Sequence, residues 1–482
     1  MYITLLISSL LFILTVIYIL RRERLAFYHP LFLFLLWHFL GYVYVPWHIL
    51  IGGDWNYLLR LGTHLDNNYF LIKTLVLVNL GFLSVVLGYF SRYGLRYAAS
   101  IKMPPVIIIN RVALVTGFII IALAVYSIMN YHAIPLIHKK VIAYYEVGES
   151  GGAIFTKASG YIVLSVNFLL GVGLTWYYVS INNNRAWRLL AWSLIIGYLI
   201  FSMLRGWHRA GWVLLLVGLV SLELIRRDRQ WPALKYVACA IPLFIIFNIS
   251  GADRRAWKIM IEEGRPSQEY IEKGVDRIGG EGIKNDISNY EYNTLQVLHY
   301  HQGVPFEFGR TYFNSWLVAA LPRVVFKNKD SYMLPLNISK VRDPAFRYTI
   351  GSCTGIYIEF YQNFGVPGVI VGGFLFGMAL HMLWLIFQNC VSTEVSHKYF
   401  VLLYAGIIAY LPQLMRDGLI TLFSGYFFVL APIIVTLLLS RKYVQMLGLK
   451  LVCQEYLYQG NRGKHRGRSR GFRVSGEEGG KW

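Results

Sequence analysis

The sequence predicts an all-α polytopic membrane protein with about eleven membrane-spanning helices and one large outer loop. Three observations predict it. Apolar residues make up 56% of the 482-residue chain and charged residues only 15%, where soluble domains carry roughly 25% charged residues. The apolar residues gather in repeated runs of about 20, long enough for a helix to cross ~30 Å of hydrocarbon. The net charge of +21 is concentrated in every second connection between those runs, as the positive-inside rule requires of cytoplasmic loops.

The first run, 3–20, lacks a basic leader and a small-residue cleavage site, so it is expected to stay as a span. Arg21, Arg22 and Arg24 follow it. Runs at 31–51 and 70–90 come next, and Arg92, Arg96 and Lys102 follow the third. Runs at 111–130 and 159–180 lead to Arg185 and Arg188; those at 187–204 and 210–225 lead to Arg226, Arg227 and Arg229. An eighth run at 232–249 opens onto a hydrophilic insert, 250–365. The last runs, 366–388, 399–415 and 418–440, end at Arg441 and Lys442. The chain thus divides into spans one to eight (1–249), a large outer loop (250–365), spans nine to eleven (366–440) and a basic tail (441–482). With the basic connections inside, the amino end is outside and the carboxyl end inside.

The insert carries 14 Lys and Arg against 13 Asp and Glu, and mixes Trp, Tyr, Phe and Leu with those charges. That composition fits a folded loop better than a spacer. Its stretch 311–326 is apolar but too short to span, and ends at Pro322, so it fits an interfacial or re-entrant segment. The tail sequence GNRGKHRGRSRGFR is a solvated basic segment suited to an anionic lipid surface. It has no aromatic-interleaved motif, so nucleic acid is not an expected partner. None of the four cysteines forms a C-x-x-C pair, and a disulfide framework is not expected.

Candidate chemistry lies on the outer side. In SMLRGWHRAGW, Arg205 and Arg209 are four apart and share a face if the helix continues. A guanidinium fork suits phosphate oxygens; the plainer role is snorkelling to headgroups. Arg254 and Arg255 stand where the eighth span leaves the membrane. The stretch FEFGRTYFNSWLVAALPRVVFKNKD offers Arg310, Tyr312 and Arg323, which also fit a solvated face. In GSCTGIYIEFYQNFGVPG, Glu359 and Asn363 share one face of a helix over 355–364, with Tyr357 and Tyr361 on another. Glu359 serves as a base when ionised, or as a structural partner when paired with arginine. Gly365, Gly368, Gly372 and Gly373 permit close helix approach. His299 and His301, in VLHYHQG, are alternative bases; as an isolated H-x-H with no third ligand they do not make a zinc site. No D-x-D pair, Walker loop, G-x-S-x-G or H-E-x-x-H is present.

These stretches give the chain a resemblance to the Wzy-type O-antigen (oligosaccharide repeat-unit) polymerases of bacterial surface-polysaccharide assembly. RGWHRAG, FGRTYFNSWLVAALPRVVFKNK and YIEFYQNFGVPGVIVGGFLFG carry it, about 60 residues of motif within a similar overall topology. The resemblance implies a GT-C-like fold in the bacterial inner membrane and a metal-independent glycosyltransferase without a cofactor. It implies undecaprenyl-diphosphate-linked oligosaccharide as donor and acceptor, membrane lipid as surroundings and a chain-length regulator as a candidate partner protein. It implies a diphosphate-binding role for Arg209 and Arg205, then Arg323, and matches Glu359 to the acid of the family's Y-x-N-F-G run. Arg254, Arg255, Arg310 and the histidines match no family motif. The related O-antigen ligases use a proposed histidine base in their large loop, which keeps His299 and His301 as candidates.

Three alternatives belong to other classes or acceptors. A lipid-linked oligosaccharide flippase would bury polar residues at mid-span and show paired repeats; the spans here carry few charges. An O-antigen ligase shares nearly the same design. A scaffold protein would use the large loop only for docking.

Overall fold

A computed structural model describes residues 1–52, 67–101, 106, 108–131, 165–181, 183, 185–205, 208–232, 290–301, 305–313, 354–392, 399–419 and 422–446. Among them every regular element is helical. Helix α1 is Tyr2–Arg22. A second helical stretch comprises α2 (Pro30–His38), a π-helical turn (Phe39–Tyr44) and α3 (Val45–Gly52). Next come α4 (Asn67–Tyr89), α5 (Arg92–Ser100) and α6 (Asn110–Tyr131). A single 3₁₀ turn at Ser165–Asn167 leads into α7 (Phe168–Ser180), followed by α8 (Arg185–Arg205) and α9 (His208–Arg226). Helices α10 (Tyr290–His301) and α11 (Arg310–Phe313) precede the long α12 (Ile356–Ser392). Helices α13 (Tyr399–Asp417) and α14 (Leu422–Met446) complete the described chain.

Among the described residues, seven helices are long and apolar enough to cross a membrane. They are α1, the α2–α3 stretch, α4, α6, α12, α13 and α14. The chain is an all-α membrane protein. The expected eighth span, the start of the fifth and most of the insert and tail lie outside the described residues.

Local chemistry explains the irregular turns. Pro46 has no N–H to donate and its ring would crowd the carbonyl of Tyr42. The helix ahead of it widens, and the Val45 N–H reaches back to the Leu40 carbonyl, the wider spacing of a π turn. In α12, Phe364 (φ −138°) and Gly365 (φ 64°, ψ −152°) break the helix. That glycine conformation is essentially closed to other residues. A Cβ on Gly368 would lie 2.3 Å from the Phe360 carbonyl oxygen, although eight residues of straight helix would separate the two by about 12 Å. The chain therefore turns sharply. The sequence places the start of the span near Val366; that run is the second limb of α12. The first limb, Ile356–Asn363, is a short helix in which every residue is buried.

The helices cannot be held together by apolar burial within lipid, because the solvent is as apolar as the side chains. Backbone approach takes its place. A Cβ on Gly377 would fall 1.9 Å from the Val85 carbonyl oxygen, and one on Gly88 2.0 Å from that of Phe374. With Gly81 and Gly373 these residues bring α4 and α12 into backbone contact. Stacked aromatics fill the gaps nearby: Phe34 lies 5.9 Å from Phe82, and Phe387 4.0 Å from Tyr404.

The bundle has two distinct ends. At one, Phe27 N donates to the Gln230 carbonyl (2.8 Å), Tyr404 Oη to the Tyr28 carbonyl (2.7 Å) and Ile109 N to Ser440 Oγ (3.2 Å). Arg21, Arg22, Arg92, Arg185, Arg188, Arg226, Arg227, Arg229 and Arg441 belong to the helix ends and turns there. At the other end, α10 and α11 cover the first limb of α12.

Candidate functional site

The covered end is built around Glu359, which is only 1% exposed. Thr311 Oγ1 of α11 donates to its Oε1 (3.3 Å), and the Leu419 backbone N–H donates to its Oε2. One carboxylate therefore ties together α11, the first limb of α12 and the turn between α13 and α14. Asn363, one helical turn on, shares the face. Its Nδ2 donates to Thr311 Oγ1 (2.7 Å) and to the Glu359 carbonyl (2.8 Å), while its Oδ1 accepts from Gly309 N (2.9 Å). Backbone bonds from Glu307 N to the Gln362 carbonyl (3.0 Å) and from Phe308 N to that of Asn363 (2.9 Å) complete the docking.

The turn beneath Glu359 needs its glycine. Gly418 closes α13 with φ +75° and donates to the Leu414 carbonyl (2.9 Å), a left-handed helix cap. A Cβ there would stand 2.3 Å from Glu359 Oε2. Directly before it lies a pair that sequence reasoning missed: Arg416 Nε is 3.7 Å from Asp417 Oδ1, with side-chain exposures of 16% and 6%. Taking an ion pair this far out of water is costly unless further hydrogen bonds satisfy it. The signal was present as R-D-G closing an apolar run.

The other candidates distribute as follows. Tyr312 lies beside the cluster; burial and the Glu359 charge push its phenol pKa up, against a hydrogen bond from Asn363. It stays protonated and can donate. Tyr361 is buried, edge-on to Phe306 (5.7 Å), with Lys73 Nζ 5.8 Å above its ring. Arg310 is exposed and its Nη1 is 4.0 Å from Glu307 Oε2. Tyr357 points to the opposite side of the limb, into a buried network: its Oη is 3.1 Å from His38 Nδ1, and next to it Asn293 bonds Tyr42 Oη (3.2 Å) and Gly355 N (2.9 Å). Positions 299 and 301 fall on different faces of α10, because residues two apart on a helix do not align. Their side chains, and those of Arg205 and Arg209, lie outside what the structure describes, as do Arg254, Arg255 and Arg323 entirely. Among the described residues no group of three His, Cys, Asp or Glu side chains gathers as a metal site would need.

Helix position still bears on Arg209. Helices α9 and α13 run antiparallel, and a Cβ on Gly218 would lie 3.2 Å from that of Ala409. Counting about nine residues from that contact toward the covered end, at 1.5 Å per residue, brings Arg209 level with Gly418. Arg205 closes α8 at the same end.

The fold and this buried polar bracket define a polytopic helical membrane protein with a polar centre at one end. No family model, curated protein or solved structure matches the chain.

Proposed function

We propose that the protein is a membrane glycosyltransferase that joins undecaprenyl-diphosphate-linked oligosaccharide repeat units into O-antigen or capsular polysaccharide. It works at the periplasmic face of the bacterial inner membrane, and the end rich in arginine faces the cytoplasm. The observation that carries the proposal is the meeting of Glu359 with the α13–α14 turn, level with Arg209 in the first turn of α9.

In the reaction, an acceptor sugar hydroxyl attacks the anomeric carbon of the donor glycan. A new glycosidic bond forms, the bond to the diphosphate breaks, and undecaprenyl diphosphate leaves with the electron pair. Arg205 and Arg209 stabilise the charge that develops on that leaving group, assisted by Arg323, Arg254 and Arg255. The hydroxyl proton needs an acceptor nearby. Glu359, held by Thr311 and the Leu419 N–H, is the carboxylate assigned to take that proton. Tyr312, Tyr361 and Arg310 border the glycan path, and His299 and His301 are the competing bases.

The test is chain growth by purified protein supplied with lipid-linked repeat units. Arg209→Ala and Glu359→Gln should each lower turnover at least about 100-fold, the usual scale of a lost acid–base or charge-stabilising group, while melting temperature stays near that of the parent. Normal chain growth by Arg209→Ala, or no chain growth by the parent, overturns the proposal. Lost turnover in Glu359→Gln accompanied by a large fall in melting temperature makes Glu359 a positioning residue instead.

A further inference from the structure

A second polar site lies at the opposite, arginine-rich end, between α7, α8 and α9. A cavity of about 330 Å³ opens there to the outside, lined by Tyr177, Arg188, Trp192, Glu223, Arg226 and Arg227 among others. Its floor is apolar, from Ile181, Leu219, Val220 and Leu224.

Charge in the cavity is arranged, not merely present. Glu223 is 8% exposed and binds four donors. Its Oε1 accepts from Arg226 Nη2 (2.6 Å) and Arg227 Nε; its Oε2 accepts from Arg226 Nε (3.0 Å) and Tyr177 Oη (2.9 Å). Two long side chains that would otherwise snorkel freely are thereby fixed at the cavity wall. Arg188 faces them from α8 and meets no carboxylate among the described residues. Among the described residues that line the hollow, three guanidinium groups stand against one carboxylate, a positive excess that suits an anion. Planar guanidinium forks match phosphate oxygens.

The surroundings identify the source of that phosphate. Trp192 stands at the rim, 5.7 Å from Tyr177 and 45% exposed, in line on α8 with Leu189 (61% exposed) and Ile196 (50%). An apolar ridge thus runs from the hollow along the outside of the bundle, where acyl chains lie. Basic pockets between membrane helices with this design take anionic headgroups.

We infer that the hollow between α7, α8 and α9 is a binding site for the phosphate headgroup of an anionic phospholipid, with Arg188, Arg226 and Arg227 on the phosphate and the α8 ridge along its chains. The site is distinct from the sugar-transfer centre and independent of it.

The test compares the full-length protein with Arg188→Ala and Arg188→Glu, exposed substitutions that leave the Glu223 cluster intact, in detergent. Dioleoylphosphatidylglycerol, dioleoylphosphatidylcholine or inorganic phosphate is added, with melting temperature and lipid adducts in native mass spectrometry as readouts. Phosphatidylglycerol should raise the melting temperature and remain bound to the parent. The adduct fraction should fall roughly fivefold or more in Arg188→Ala and further in Arg188→Glu. Phosphatidylcholine should do neither. Equal binding by Arg188→Glu, or equal protection by phosphatidylcholine, overturns the lipid site. Equal protection by inorganic phosphate shows an anion hollow that does not select lipid, and also overturns it.

Discussion

Glu359 shows how much one side chain can organise when it is placed between three segments. Its carboxylate accepts from Thr311 and from the Leu419 N–H, and Asn363 locks the same hydroxyl from one turn away. Gly418 is the negative image of that carboxylate. Gly418→Ala adds a Cβ within 2.3 Å of Glu359 Oε2 at φ +75°, where a non-glycine residue already costs roughly 1–2 kcal/mol. The variant should melt lower than the parent and, under the proposed function, lose chain growth with it, as read by thermal unfolding and product gels. Unchanged behaviour in both would mean the carboxylate is not held there. Thr311→Val, which keeps shape but removes both the donor to Glu359 and the acceptor for Asn363, should cost about 1–3 kcal/mol and, under the proposed function, change turnover more than melting temperature.

Some of this was legible in the sequence and some was not. The i, i+4 spacing of Glu359 and Asn363 follows from helical geometry alone. The partner Thr311 lies 48 residues away and Leu419 lies 60 away, and no local pattern announces a pairing across such distances. Arg416 and Asp417 escaped notice because a charged pair closing an apolar run looks like any helix end.

At the scale of elements, α12 and α4 carry the architecture. The glycines that meet backbone across the seam leave no room for a side chain. Gly377→Leu should therefore push the helices apart and lower folded yield sharply, whereas Gly197→Leu, at a position with nothing within 4 Å, should be tolerated. Fluorescence-detected size-exclusion profiles would compare them. The break at Phe364–Gly365 was hidden in the sequence for a related reason. Glycine with proline two residues on, as in Gly365-Val366-Pro367, reads equally well as the start of a helix or as a bend within one, and only the buried limb ahead of it decides.

His29 joins three elements at the other end. Its Nδ1 accepts from Leu31 N (3.1 Å) as the cap of α2, its Nε2 lies 3.2 Å from Tyr89 Oη of α4, and the ring is 4.2 Å from Trp384 of α12. Burial, with His381 adjacent, lowers its pKa from about 6.5 to about 3. The unfolded chain thus binds a proton that the folded one refuses. Stability from this residue is complete above pH ~6.5 and falls steadily as pH drops toward 3. The melting temperature should be lower at pH 4.5 than at pH 7.5. His29→Asn, which keeps a capping acceptor, should shrink that difference, and an undiminished difference would assign it to other groups such as His381.

The whole molecule is a bundle with unlike ends, one rich in arginine and closed by connections that bond to each other, the other holding a buried polar bracket. Charge alternation along the sequence foresaw this polarity, because segregation of Lys and Arg survives any detail of packing. If the arginine-rich end is cytoplasmic, a membrane-impermeant maleimide added to spheroplasts should label Phe308→Cys and spare Tyr93→Cys, both exposed positions, in a background lacking the four native cysteines. The reverse pattern would invert the orientation and move the proposed chemistry to the wrong side of the membrane.

Backbone meeting backbone along α4 and α12 has a mechanical corollary. With no side chain between them to swing or slide, the two helices form a stiff keel, and the bend that carries Glu359 is fixed to it. Under the proposed function, a long-tailed sugar carrier would therefore enter by displacing neighbours of the keel, while the acid itself holds station.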